Sequence, residues 1–226
     1  RSTLDRSSAA ADVYKRQTDN GSGSILMLEV MRILTAVYPQ PKRTILIALW
    51  NGEEQGLNGS RAFTEDHPEV VQGLQALWNQ DTGTGRVVTM SAQGLVAAGG
   101  SLARWLAQVP AEVSQHIDLD VRGNPSGGGS DYASFMCWGA PGFNLSALGW
   151  NYSTHTWHSN RDTYDKLVFG DIRINAVLTA SLAYLASEDD EFTSRRQRTL
   201  IAGRDGQPGS WPTCRPAERS SPNSDR

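Results

Sequence analysis

The chain has 226 residues, of which 38% are apolar and 20% charged, with a net charge of −3. That length suffices for one domain with a sizeable core, and the slightly acidic balance offers no basic face of the kind that nucleic acid or an anionic membrane would need. No run of 18 apolar residues occurs, so no membrane-spanning helix is expected.

Residues 1–17 are polar, rich in Ser, Ala and Arg, and without a usable period. They resemble translated adapter sequence and are expected to be foreign to the domain that follows. No export signal is visible in them. At Thr18 a dense motif, TDNGSG, begins and leads into a helix expected over Ser24–Val37, with Leu26, Val30, Ile33 and Val37 at helical spacing and Pro39 ending the run. The continuous apolar stretch Thr44–Trp50 reads as a strand buried on both faces. Short strands follow at Leu77–Gln80 and Val87–Met90, a helix at Ser101–Gln108 and a strand at Phe143–Leu148. The last long helix is expected over Asp171–Ala186, with Ile172, Val177, Leu178, Leu182 and Leu185 as its apolar positions. Strands alternate with helices, which places the chain in the α/β class with a largely parallel sheet. Residues 18–187 are therefore read as the domain, and residues 188–226, charged, Pro-containing and poor in apolar residues, as a mobile tail. The two cysteines, Cys137 and Cys214, show no framework spacing and are expected to be a buried thiol and a loose one.

On this map the acidic residues fall after strands or before helices. Asp19 precedes the first helix, Glu53 and Glu54 follow the apolar run in NGEEQG, Asp81 follows a short strand in NQDTGTG, and His158 lies in TWHSNRDTYDKL between the fourth strand and the last helix. Loops that follow the strands of an open α/β sheet gather at one edge, where ligands bind. Several carboxylates brought together there repel one another, and a divalent cation relieves that repulsion. Oxygen ligands with an imidazole suit zinc. The side chains of Glu53 and Glu54 point in different directions, so one can hold metal while the other faces the water to be activated. Each residue also has an ordinary use: Asp19 as a helix cap, the Glu pair as solvated charge, Asp81 as a turn residue, and His158 as a structural histidine.

The order TDNGSG, WNGEEQGLNGSRAF, NQDTGTG and WHSNRDTYDKL resembles the M28 family of zinc metallopeptidases over about residues 18–187. The resemblance implies a three-layer α/β/α sandwich around a mixed, mostly parallel sheet, a peptide substrate, and a secreted or periplasmic home. It implies that Asp19 bridges two zinc ions, that Glu53 is the general base, that Glu54 and His158 complete one zinc site, and that Asp81 belongs to the other. The family's His-x-Asp motif upstream of the bridging aspartate has no counterpart here, since no histidine precedes His67. This chain is therefore expected to hold at most one zinc firmly and to be weak or inactive by itself. GGGSDYASF at 127–135 resembles the family's Gly-rich Ser-Asp-His segment, with Tyr132 in place of histidine. Two other readings stay open: a single-zinc, glutaminyl-cyclase-like acyltransferase, and a non-catalytic, receptor-like binding domain of the same fold.

Overall fold

The computed structural model describes residues 17–200, 202, 206, 207 and 209–219. The segment read as foreign lies outside these residues, apart from Gln17. Helix α1 spans Ser22–Val37, and its core stripe is Leu26, Val30 and Leu34, with Ile33 partly buried and Val37 75% exposed. A strict i, i+4 spacing therefore carries the contact. Helices α2 (Asn58–Asp66) and α3 (Pro68–Gly73) follow, neither of which the apolar periodicity had marked. Next come strands β1 (Leu77–Asn79) and β2 (Val87–Ser91), helices α4 (Ala98–Leu106) and α5 (Ala111–Ser114), and strand β3 (Asp118–Asp120). The short helix α6 (Tyr132–Met136), strand β4 (Gly142–Ala147) and the long helix α7 (Phe169–Glu188) complete the order.

The four strands form one sheet in the order β1-β4-β2-β3. The β1–β4 and β2–β3 pairs are parallel and β2–β4 is antiparallel, so the sheet is mixed and mostly parallel, as expected. Its main core joins Val87, Met90, Phe143 and Leu145 of the strands to Leu102 and Trp105 of α4 and to Leu178 and Leu182 of α7. A second cluster packs α1 against Ala176 and Ala180 of α7. Within α7 the polar Asn175 is fully buried: it accepts the Val87 N–H at 2.9 Å and donates to the Gly85 carbonyl at 2.8 Å, which fixes the helix to the start of β2. Val177, expected in the core, is 43% exposed on the opposite side.

Two expectations are corrected. The run Thr44–Trp50 is not a strand. A strand needs a neighbour for its backbone groups, and none of the described strands lies alongside it; Leu46 and Leu49 are 62% and 55% exposed. The cysteines are not two thiols but one disulfide, Cys137–Cys214, with Cα atoms 5.0 Å apart. The segment after 188 makes specific polar contacts over its described part. Gln75 holds the Glu191 carbonyl and the Thr193 N–H, Arg195 donates to the carbonyls of Val71 and Leu74, the Trp211 indole donates to the Met136 carbonyl at 2.8 Å, and Arg219 pairs with Glu65 and Asp66. Polar anchors and one covalent link do here what apolar composition would do elsewhere. Cys214→Ser is expected to lower stability by about 3 kcal/mol, because the bond closes a long loop; a two-state denaturant titration showing no loss would contradict a structural role for the bond.

Candidate metal centre

The loop 51–59 carries two of the acidic residues and is closed by its own backbone. The Glu53 carbonyl accepts the N–H groups of Gly56 and Leu57, and the Gly59 N–H donates to the Asn51 carbonyl at 2.7 Å. Gly52 sits at φ +70, and a Cβ on Gly59 would lie 2.5 Å from the Asn51 oxygen. Glycine is therefore required at both places.

Asp19 lies in a kinked turn before α1 and is 5% exposed. It does not cap the helix: the N-cap is Gly21, with no side-chain hydrogen bond there. Two neighbours tie its backbone down. The Asn20 amide donates to the Gln80 carbonyl at 2.9 Å, next to Asp81, and its oxygen accepts the Gly23 N–H. From the other side, the Asp162 carboxyl accepts the N–H of Thr18 at 2.7 Å and of Asp19 at 2.9 Å. His158 is held at φ +53, a left-handed conformation that costs a non-glycine residue on the order of 1–3 kcal/mol. The turn around it is fixed by Ser159, whose hydroxyl bonds the carbonyls of His155 and Thr156.

These supports bring three ligand-type atoms together. His158 Nε2 lies 3.0 Å from Glu54 Oε2 and 3.5 Å from Asp19 Oδ2. One atom from each of Asp19, Glu54 and His158 falls within 4.8 Å of the others, in a group that could hold a metal ion. Asp19 Oδ2 is buried and, among the described residues, has no hydrogen-bond partner. A buried anionic oxygen is costly unless paired, and a cation at this point supplies the missing partner. One imidazole nitrogen and two carboxylate oxygens are a donor set that fits zinc. His155 stands apart, bonded through Nδ1 to the Thr154 hydroxyl.

Asp81 and Glu53 lie beside this trio. Burial pushes the Asp81 carboxyl up to about 7; the Ser130 hydroxyl bond opposes the shift, and the charges of Glu53, Asp19 and Asp131 add to it. Ser130 donates to Asp81 at 2.7 Å and itself accepts from the Asn79 amide at 3.0 Å. Burial likewise raises Asp131 to about 6, against the Ser60 hydroxyl bond. The Gly-rich segment is thus a buried brace behind the site through Ser130 and Asp131, which its glycine content did not indicate. Tyr152 is a further residue that the sequence did not single out. Burial, together with the Asp19, Asp81 and Asp162 carboxyls, holds its phenol far above its usual value, and its ring packs over Gly83. A cleft of about 1480 Å³ is lined by residues 43–50 and 73–81 together with Asp19, Glu53 and Glu54.

Both raised carboxyls bind their protons more tightly in the folded state than in the unfolded one. Their contribution to stability is therefore complete below pH ~4 and is lost as pH rises through about 6 for Asp131 and about 7 for Asp81. For Asp81 the loss is about 4 kcal/mol. Thermal melts in chelator are expected to show a midpoint falling from pH 5 to pH 8; a rising midpoint would mean that the cluster is not protonated as described.

The family model described as Peptidase family M28 matches residues 17–183. Carboxypeptidase Q of Mus musculus is 26% identical over 184 residues, covering 81% of this chain and 38% of the relative. Aminopeptidase NAALADL1 of Rattus norvegicus is 27% identical over 177 residues, covering 65% and 24%. Among solved structures, a peptidase M28 precursor from Shewanella amazonensis superposes with a TM-score of 0.66 at 21% identity, covering 82% of this chain and 40% of the other. BSAP, a zinc aminopeptidase from Bacillus subtilis, superposes with a TM-score of 0.58 at 22% identity, covering 80% and 44%. The chain thus spans about two-fifths of the length of the carboxypeptidase Q relatives that it matches.

Proposed function

This chain belongs to peptidase family M28, and from that premise we propose that it carries a zinc site for hydrolysis of the peptide bond nearest a chain end. The observation that supports this reading is the meeting of Asp19, Glu54 and His158, drawn from three remote segments, around an orphaned buried oxygen. These three residues would hold one zinc. Asp81, with Asp19, offers a second position only two carboxylates, so one firmly held ion is expected. A zinc held there would lower the pKa of a water molecule and polarise the carbonyl under attack. Glu53, adjacent to a ligand but outside the trio, is the general base that would accept a proton from the attacking water and return it to the leaving amine. Ser130 holds Asp81 in place, and the cleft beside the acidic cluster receives the peptide.

The Cys137–Cys214 bond suits an oxidising compartment, and no described helix is long and apolar enough to cross a membrane. We place the protein outside the cytoplasm on that basis. The test is to load the protein with zinc and analyse test peptides by mass spectrometry. Loss of single terminal residues, dependent on zinc, supports the proposal. Release of ammonia from an N-terminal glutamine would instead identify a cyclase, and absence of both zinc binding and turnover would identify a binding domain.

A further inference from the structure

We propose that Asp162 is a positioning residue that sets the distance between two zinc ligands, Asp19 and His158; the inference rests on the zinc site proposed above. Asp162 is 1% exposed, and both of its carboxyl oxygens are committed to backbone N–H groups, those of Thr18 and Asp19, at 2.7 and 2.9 Å. It stands four residues after His158, in a turn closed by its own N–H to the Ser159 carbonyl and by the Ser159 hydroxyl to the carbonyls of His155 and Thr156. The loop that delivers the imidazole therefore also grips the peptide units that carry the buried carboxyl. The 3.5 Å between His158 Nε2 and Asp19 Oδ2 is set within this one turn rather than through the sheet.

Among the described residues the Asp162 carboxyl is the acceptor for both the Thr18 and the Asp19 amide, and both amides are buried. An asparagine of the same shape offers one acceptor oxygen and turns an NH2 group toward the second N–H. One buried donor is then opposed by another, and the turn bearing Asp19 moves away from His158.

The experiment is a zinc affinity measurement by competition with a chromophoric chelator, on the unsubstituted protein and on Asp162→Asn, with folding followed by circular dichroism. The expected result is a zinc Kd about 10–100-fold weaker in the variant. Unchanged zinc affinity overturns the inference even if the melting temperature falls, because a purely structural residue would give that pattern. A second measurement on the unsubstituted, zinc-free protein keeps the test open if the variant does not fold: the Thr18 and Asp19 amides are expected to be protected from hydrogen exchange before any metal is added. Free exchange that ends only on zinc addition overturns the inference. Failure of the unsubstituted protein to bind zinc at all is a different result, and it overturns the site itself.

Discussion

Glu53→Gln is expected to lower kcat by about 10²–10⁴-fold, from whatever rate the unsubstituted chain sustains, while zinc content stays unchanged. The expectation comes from the separation of two adjacent carboxyls. Glu54 reaches His158 at 3.0 Å and belongs to the metal-competent trio, whereas Glu53 acts through its charge on Asp81. Glutamine keeps the size and polarity of the side chain and removes its ability to accept a proton. Parallel loss of zinc and turnover would assign Glu53 to the ligands instead. Because Glu53 is one of the charges raising Asp81, the same substitution should also move the Asp81 titration downward.

The second large effect is expected for His158→Ala, which removes the one nitrogen donor from the trio. Zinc affinity should fall by more than about 100-fold, since loss of a ligand exceeds the 10–100-fold typical of an outer partner. The zinc-free protein should melt within a few degrees of its unsubstituted form: the His158 side chain is 46% exposed, and surface substitutions stay near 0.5 kcal/mol. Calorimetric titration with zinc, beside a melt in chelator, reads both quantities. Undiminished affinity would move the metal away from this trio.

Much of the site was legible because its spacing is local. TDNGSG, NGEEQG, NQDTGTG and the segment around His158 each place a ligand-type residue in a loop next to a helix or strand, and the fold brings the Asp19, Glu54 and His158 loops together. The helix over 22–37 and the strands at 77–79, 87–91 and 142–147 follow from apolar pattern for the same reason. What failed depended on partners distant in sequence. The run 44–50 has strand composition, yet pairing requires a neighbour that no local pattern reveals. Ser130 looks like part of a flexible Gly-rich turn until Asp81 is seen to accept its hydroxyl. Asp162 could be read as a helix start or as a support behind the ligands; only the fold shows that it grips two amides 143 and 144 residues away. Cys137 and Cys214 are 77 residues apart with no spacing signature.

That last bond has a consequence for how the molecule withstands proteases. A single backbone cut anywhere between residues 137 and 214, including one in the exposed stretch around Trp150 and Trp157, leaves both pieces in one covalent molecule. The nicked protein would run as a single species on a non-reducing gel and separate into two fragments only after a thiol is added. Damage to the loop that carries His158 would then go unnoticed on a gel or sizing column run without reductant, while an intact-mass measurement would show the added water.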